Sequence, residues 1–87
     1  MKFEFDPAKS ASNRDKHGID FDEAQALWSD PRLLVIPART VEEPRWMAIG
    51  KLRGRHWAAL FTMRGEAIRL ISVRRARREE TTLYESP

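Results

Sequence analysis

Phe3 and Phe5 alternate with Lys2 and Glu4, the period of a short half-buried strand, and Asp6-Pro7 closes it with an N-cap residue followed by one suited to the first helical position. A first helix is therefore predicted from Pro7 to about Lys16 or His17, stopped by Gly18. Its apolar side is only Ala8 and Ala11, while Lys9, Asn13 and Lys16 recur on one face. A helix with so little to bury is positioned by its neighbours or serves through its polar face. Asp20 and Glu23 stand at capping-box spacing, Ile19 and Ala24 can form a hydrophobic staple, and Phe21, Ala24, Leu27 and Trp28 give the second helix an apolar stripe. Asp30-Pro31 ends it.

Four β-rich runs follow: Leu33 to Ile36, Arg45 to Leu52, His56 to Thr62 and Ala67 to Val73. Pro37 to Pro44, Arg53-Gly54-Arg55 and Met63-Arg64-Gly65-Glu66 separate them, the last two short enough for hairpin turns. Trp57, Ala59 and Phe61 point to one side of the strand and Ala58 and Leu60 to the other, so both faces of the sheet need cover. The first two helices can supply one cover. The tail from Arg75 to Glu85, or a partner chain, can supply the other. With only Ala76, Leu83 and Tyr84 as apolar contacts, the tail is predicted to be helical and loosely held. The fold class is α+β: an N-terminal strand and two helices, then an antiparallel β-sheet and a C-terminal helix.

At 87 residues the chain has room for one domain, 1–87, with a thin core. The absence of cysteine excludes disulfides, thiolate metal sites and a catalytic thiol, which fits a cytoplasmic location. The opening residues, acidic at Glu4 and Asp6, do not read as a secretory signal, and no window is long enough to span a membrane. Charge is segregated. Residues 45–78 hold ten Arg or Lys against the single acid Glu66, a local +9 within an overall +3. Such a field draws in polyanions without specifying which.

Four guanidinium groups crowd into Arg74-Arg75-Ala76-Arg77-Arg78. If Arg74 and Arg75 open the last helix, its free N–H groups add to an anion cradle. The bland alternative is a solvated face paired with Glu79 and Glu80, but Arg before Glu at i,i+4 is the weaker orientation, and anion binding fits better. Arg64, at a hairpin end, can share that anion or be an ordinary loop residue. Arg69, inside a strand, needs a ligand or a structural salt bridge. His17 sits where a helix C-terminus favours its protonated form, suiting a phosphate ligand, a general acid or a simple cap. His56, beside Trp57, reads as packing. No metal-ligand spacing and no nucleophile elbow is present, so no metal or cofactor is expected. RNA brings its own nucleophile, the 2′-hydroxyl, and needs only positioning, charge stabilisation and a proton relay.

Several blocks resemble the BrnT family of toxins from type II toxin–antitoxin modules. They are Phe5-Asp6-Pro7-Ala8-Lys9, Asn13, Lys16 to Ala24, Arg45, Gly50, Arg69 to Ala76, and then Glu80 and Tyr84. Phe5 stands where the family usually has Trp, Phe61 where Tyr is common, and the tail from Glu79 to Leu83 is less basic than is typical. The resemblance implies a RelE-like ribonuclease fold and cleavage of cellular RNA that halts translation, and the residue inventory adds the expectation that this cleavage is metal-independent. It also implies a BrnA-like antitoxin encoded alongside, through which alone operator DNA is bound. Carried over, Lys16, His17, Arg64, Arg74 and Arg75 are the expected catalytic positions. Lys9, Asn13, Arg69, Arg77 and Arg78 are expected RNA contacts, and Glu80 and Tyr84 supporting residues. A module that binds nucleic acid or a partner through the same arginines without catalysis is the alternative, and a subunit that only supports a DNA-binding partner is a third.

Overall fold

In the computed structural model, which describes residues 1–39 and 42–87, a five-stranded sheet carries helices on both faces. The chain order is β1 (Lys2–Glu4), α1 (Pro7–His17), α2 (Phe21–Ala24) continuing into a 3-10 turn (Gln25–Ser29), β2 (Leu34–Ala38), β3 (Arg45–Leu52), β4 (Arg55–Arg64), β5 (Ala67–Arg75) and α3 (Arg78–Glu85). The strands lie in the order β1-β5-β4-β3-β2, with β1 parallel to β5 and the other neighbours antiparallel. This is the α+β architecture expected.

Local chemistry explains most boundaries. The Asp6 carboxylate accepts the Ala8 N–H at 2.9 Å, and Gly18 closes α1 by donating its N–H to the Arg14 carbonyl. The Asp20–Glu23 capping box forms in both directions, at 2.8 and 3.1 Å. The second helix is shorter than predicted: after one turn it tightens to 3-10 pitch, which stacks Ala24 and Leu27, three apart, toward the sheet. β3 spans Arg45–Leu52 as predicted, and β4 runs longer than predicted at both ends because both of its hairpins close on two residues. Arg53 and Gly54 take φ of 53° and 78°, the paired left-handed conformations of a type I′ turn. Pro37, placed in the Pro37 to Pro44 loop by sequence, instead belongs to β2, an edge strand where its missing N–H is harmless. Positions 40 and 41 of that loop lie outside the described residues.

The core fills the face under α1 and α2. Phe21, Ala24, Leu27, Ala48, Ala59 and Val73 are wholly enclosed, and Phe3–Trp28 and Trp28–Phe61 meet edge to face at 5.3 and 5.4 Å. The other face is covered at one end by α3 through Tyr84, above Ile49 and Ala58. The tail is thus helical as predicted, but it is not loosely held. Its apolar surface is small, and polar ties replace it: Arg74–Glu80, Tyr84–Asp30 and His56–Glu85.

One irregularity decides where the arginines go. A β-bulge between β4 and β5 pairs Leu60 with Ser72 and Phe61 with Leu70, leaving Ile71 as the extra residue. Ile68 and Leu70 face the core before it and Val73 faces the core after it. Without the bulge, strict alternation would have aimed Arg74 at the core.

Candidate functional site

The site is built on the outer edge of β5. The parallel pairing with β1 reaches only from Ala67 to Arg69, which leaves the upper part of β5 without a strand neighbour on the edge away from β4. The Asn13 side chain substitutes for one. Its Oδ1 accepts the Val73 N–H at 3.1 Å, and its Nδ2 donates to the Val73 and Ile19 carbonyls at 2.8 Å each. Ser10 adds a second tie, its Oγ accepting the Phe21 N–H at 2.9 Å. Ser10 and Asn13 are the buried residues of α1, so the helix is located by hydrogen bonds where its sequence lacks apolar side chains. The expected RNA contact at Asn13 is therefore committed to backbone.

This docking aligns the rest of the polar stripe with the sheet. Lys9, Ser12, Lys16 and His17 line a groove whose other wall is Ile71 and Ser72 at the bulge. Lys9, Lys16 and His17 are exposed and make no ion pair among the described residues. Lys9 and Lys16, cations on a docked helix without acidic partners among the described residues, are available to a polyanion.

Arg74 and Arg75 do not open a helix. Both belong to β5, whose pairing runs on to Trp57↔Arg75, and Ala76 extends it with an N–H to the His56 carbonyl, so α3 starts only at Arg78. As adjacent strand residues they project to opposite faces. Arg74 lies on the α3 side, half-buried, with both terminal nitrogens on the Glu80 carboxylate at 2.8 Å. That bidentate bond raises the Arg74 pKa and lowers that of Glu80. Glu80 also accepts the Arg77 N–H at 2.7 Å, capping α3. Arg75 lies on the α1 side, its guanidinium carbon 5.6 Å from the centre of the Trp57 ring. The Arg77 and Arg78 side chains are exposed at the start of α3.

Arg64 does not join this group. It pairs with Ala67 at one end of the sheet, and Arg74 faces Ala58 six positions along β4, a separation of roughly 20 Å at about 3.3 Å per residue. Arg69 pairs with Glu4 at 3.1 Å, the structural salt bridge that the sequence had left open. His56, read as packing, bonds Glu85 at 2.6 Å and holds that carboxyl below its usual range.

Tyr84 is committed as well. Its hydroxyl donates to Asp30 at 2.5 Å, and this bond, with burial, pushes its pKa up to about 12. Burial works against ionisation of Asp30, but the Tyr84 hydroxyl and the Lys51 and Arg32 N–H groups outweigh it and lower its pKa. Sequence reasoning used Asp30 only as a helix stop and passed over Ser72. An acid before proline is an ordinary terminator, and nothing local marks it as a three-way acceptor.

Among the described residues, no group of three or more His, Cys, Asp or Glu could hold a metal ion, and no helix is long and apolar enough to cross a membrane. The fold is thus that of a small α+β chain whose sheet edge carries Lys9 and Lys16, unpaired among the described residues, a surface chemically suited to polyanions. The family model of the ribonuclease toxin, BrnT, of type II toxin–antitoxin systems matches residues 5–80, and the chain belongs to that family. It is thus related to toxins that have an antitoxin partner; the matched span includes the groove, Arg74 and Glu80, and stops before Tyr84. Comparison with curated proteins returns no match.

Proposed function

We propose that the chain is a metal-independent endoribonuclease whose reaction takes place in the groove between α1 and the free edge of β5. The carrying observation is the alignment of Lys9, Lys16 and His17 against Ser72, two residues before Arg74 on β5, by the Asn13 anchor. In this reading the RNA 2′-oxygen attacks the adjacent phosphorus, its proton passes to a base, and the P–O5′ bond breaks as O5′ takes a proton. The products are a 2′,3′-cyclic phosphate and a 5′-hydroxyl. Lys16 and His17 are the groups that move protons, and Arg74 stabilises the dianionic phosphorane. Glu80 aligns Arg74, a supporting role. Lys9, Arg77 and Arg78 meet flanking phosphates, and Arg64 and Arg69 meet RNA further along the sheet.

The same reading makes the whole chain one toxin domain that acts in the cytoplasm and inhibits translation. A BrnA-like antitoxin would cover the groove and would itself carry the complex to operator DNA. Incubation of the purified chain with RNA in excess EDTA tests the proposal: cleavage should persist, and it should fall at least a hundredfold in Lys16→Ala, His17→Ala or Arg74→Ala when that residue serves the reaction. Intact RNA with salt-sensitive binding would favour the non-catalytic alternative.

A further inference from the structure

A second recess lies on the other side of α1, between its C-terminal end and the β3–β4 hairpin. Its floor is apolar, made by Ile19, Leu52 and Trp57, and its rim carries His17 and the guanidinium groups of Arg53 and Arg55. Strand alternation and the pair Trp57↔Arg75 place Arg55, Trp57 and Arg75 on one face at the same end of the sheet. Arg75 rests on the Trp57 ring, is otherwise exposed, and has no carboxylate partner among the described residues. Glu23, the acid on the wall, is occupied: it takes the Arg14 guanidinium at 2.8 Å, the Asp20 N–H at 3.1 Å and Arg53 at 3.6 Å. Arg55 and Arg75 have no carboxylate partner among the described residues.

We propose that this recess receives one unstacked RNA base, laid on the Arg75 guanidinium that Trp57 supports, with the phosphate of that nucleotide on the Arg55 side of the rim. An apolar floor, a flat cationic platform and anion-binding donors around it match a nucleotide, whereas a bare anion would leave the floor unused. His17 lines both this recess and the Lys9–Lys16 groove. A strand with a phosphate in the groove can therefore deliver a neighbouring base here. The proposal rests on the ribonuclease reading and deepens it: the recess is where base preference would arise.

The test uses the full chain labelled with ¹⁵N, in which Trp28, Trp46 and Trp57 give separate indole N–H signals. The probes are a 2′-O-methyl oligoribonucleotide, which lacks the nucleophile, and the same oligonucleotide with one abasic position. The Trp57 signal should move with the first, and the abasic probe should bind about tenfold more weakly. Arg75→Lys, which keeps the charge and loses the plane, should bind the two probes equally. The proposal is overturned if Trp57 responds alike to both probes, or if the intact probe binds and leaves Trp57 unmoved. RNA cleavage without a Trp57 response overturns the recess alone; neither binding nor cleavage overturns the ribonuclease reading with it.

Discussion

Replacing Asn13 by alanine should cost more stability than any other single polar substitution in α1. The side chain makes three hydrogen bonds in a buried setting, and its loss strands the Val73 N–H and the Val73 and Ile19 carbonyls together. An unsatisfied buried group costs about 1–3 kcal/mol, and a water in the vacated space can repair part of the deficit, so a loss of about 3 kcal/mol is expected. For a domain of this size that is about 12–24 °C in Tm and a large fraction of total stability. Ser10→Ala, which removes one bond to Phe21, should cost about 1 kcal/mol and serves as the internal scale. Asn13→Asp keeps the acceptor for the Val73 N–H but turns a carboxylate toward two carbonyls, so it should be at least as damaging as alanine. Urea unfolding monitored by tryptophan fluorescence, with m-values compared, measures all three. An Asn13→Ala loss below about 1 kcal/mol would refute the reasoning that this amide stands in for a missing strand.

Tyr84 is the only tyrosine, so its ionisation can be followed by ultraviolet absorbance, and the midpoint should fall near 12 in the native chain and move toward 10 in Asp30→Asn. Because the folded pKa lies above the unfolded one, the stability this phenol contributes is complete below 10 and is lost as pH rises toward 12. Glu80→Gln should lower Tm at neutral pH. Its gap from the native chain should close as pH falls below 4.5, since the folded Glu80 pKa lies under that value and its stabilisation disappears once the carboxyl is protonated. Gly50→Ala should destabilise by about 1–2 kcal/mol in urea unfolding, because the new methyl would meet Leu33 Cδ1 at 2.8 Å and Leu27 Cδ2 at 3.2 Å, side-chain ends that can yield only in part.

Periodicity and caps made the architecture readable. Asp6-Pro7, the Asp20–Glu23 box and Gly54 each act within a few residues, so the sequence places the elements they bound. The site was less legible because its geometry is set by pairs distant in the chain. The 60-residue span of the Asn13–Val73 bond turned an apparent RNA contact into an anchor. Strand pleating sent Arg74 and Arg75 to opposite faces and the bulge at Ile71 decided which face each took, where a run of arginines suggested one cradle. Strand length put Arg64 out of reach of both. The charge segregation survives these changes in a sharper form: Lys9, Lys16 and His17 stand beside Ser72, whereas Arg69 and Arg74 are neutralised at rest by Glu4 and Glu80.

The central claim, catalysis by RNA's own hydroxyl in the α1–β5 groove, is tested most directly by the chemistry of the cut ends. Mass spectrometry of fragments produced in EDTA should find 2′,3′-cyclic phosphates and 5′-hydroxyls, and a substrate with a single 2′-deoxy sugar at the cut position should resist cleavage there. Cleavage of that deoxy position, or 5′-phosphate ends, would contradict the account.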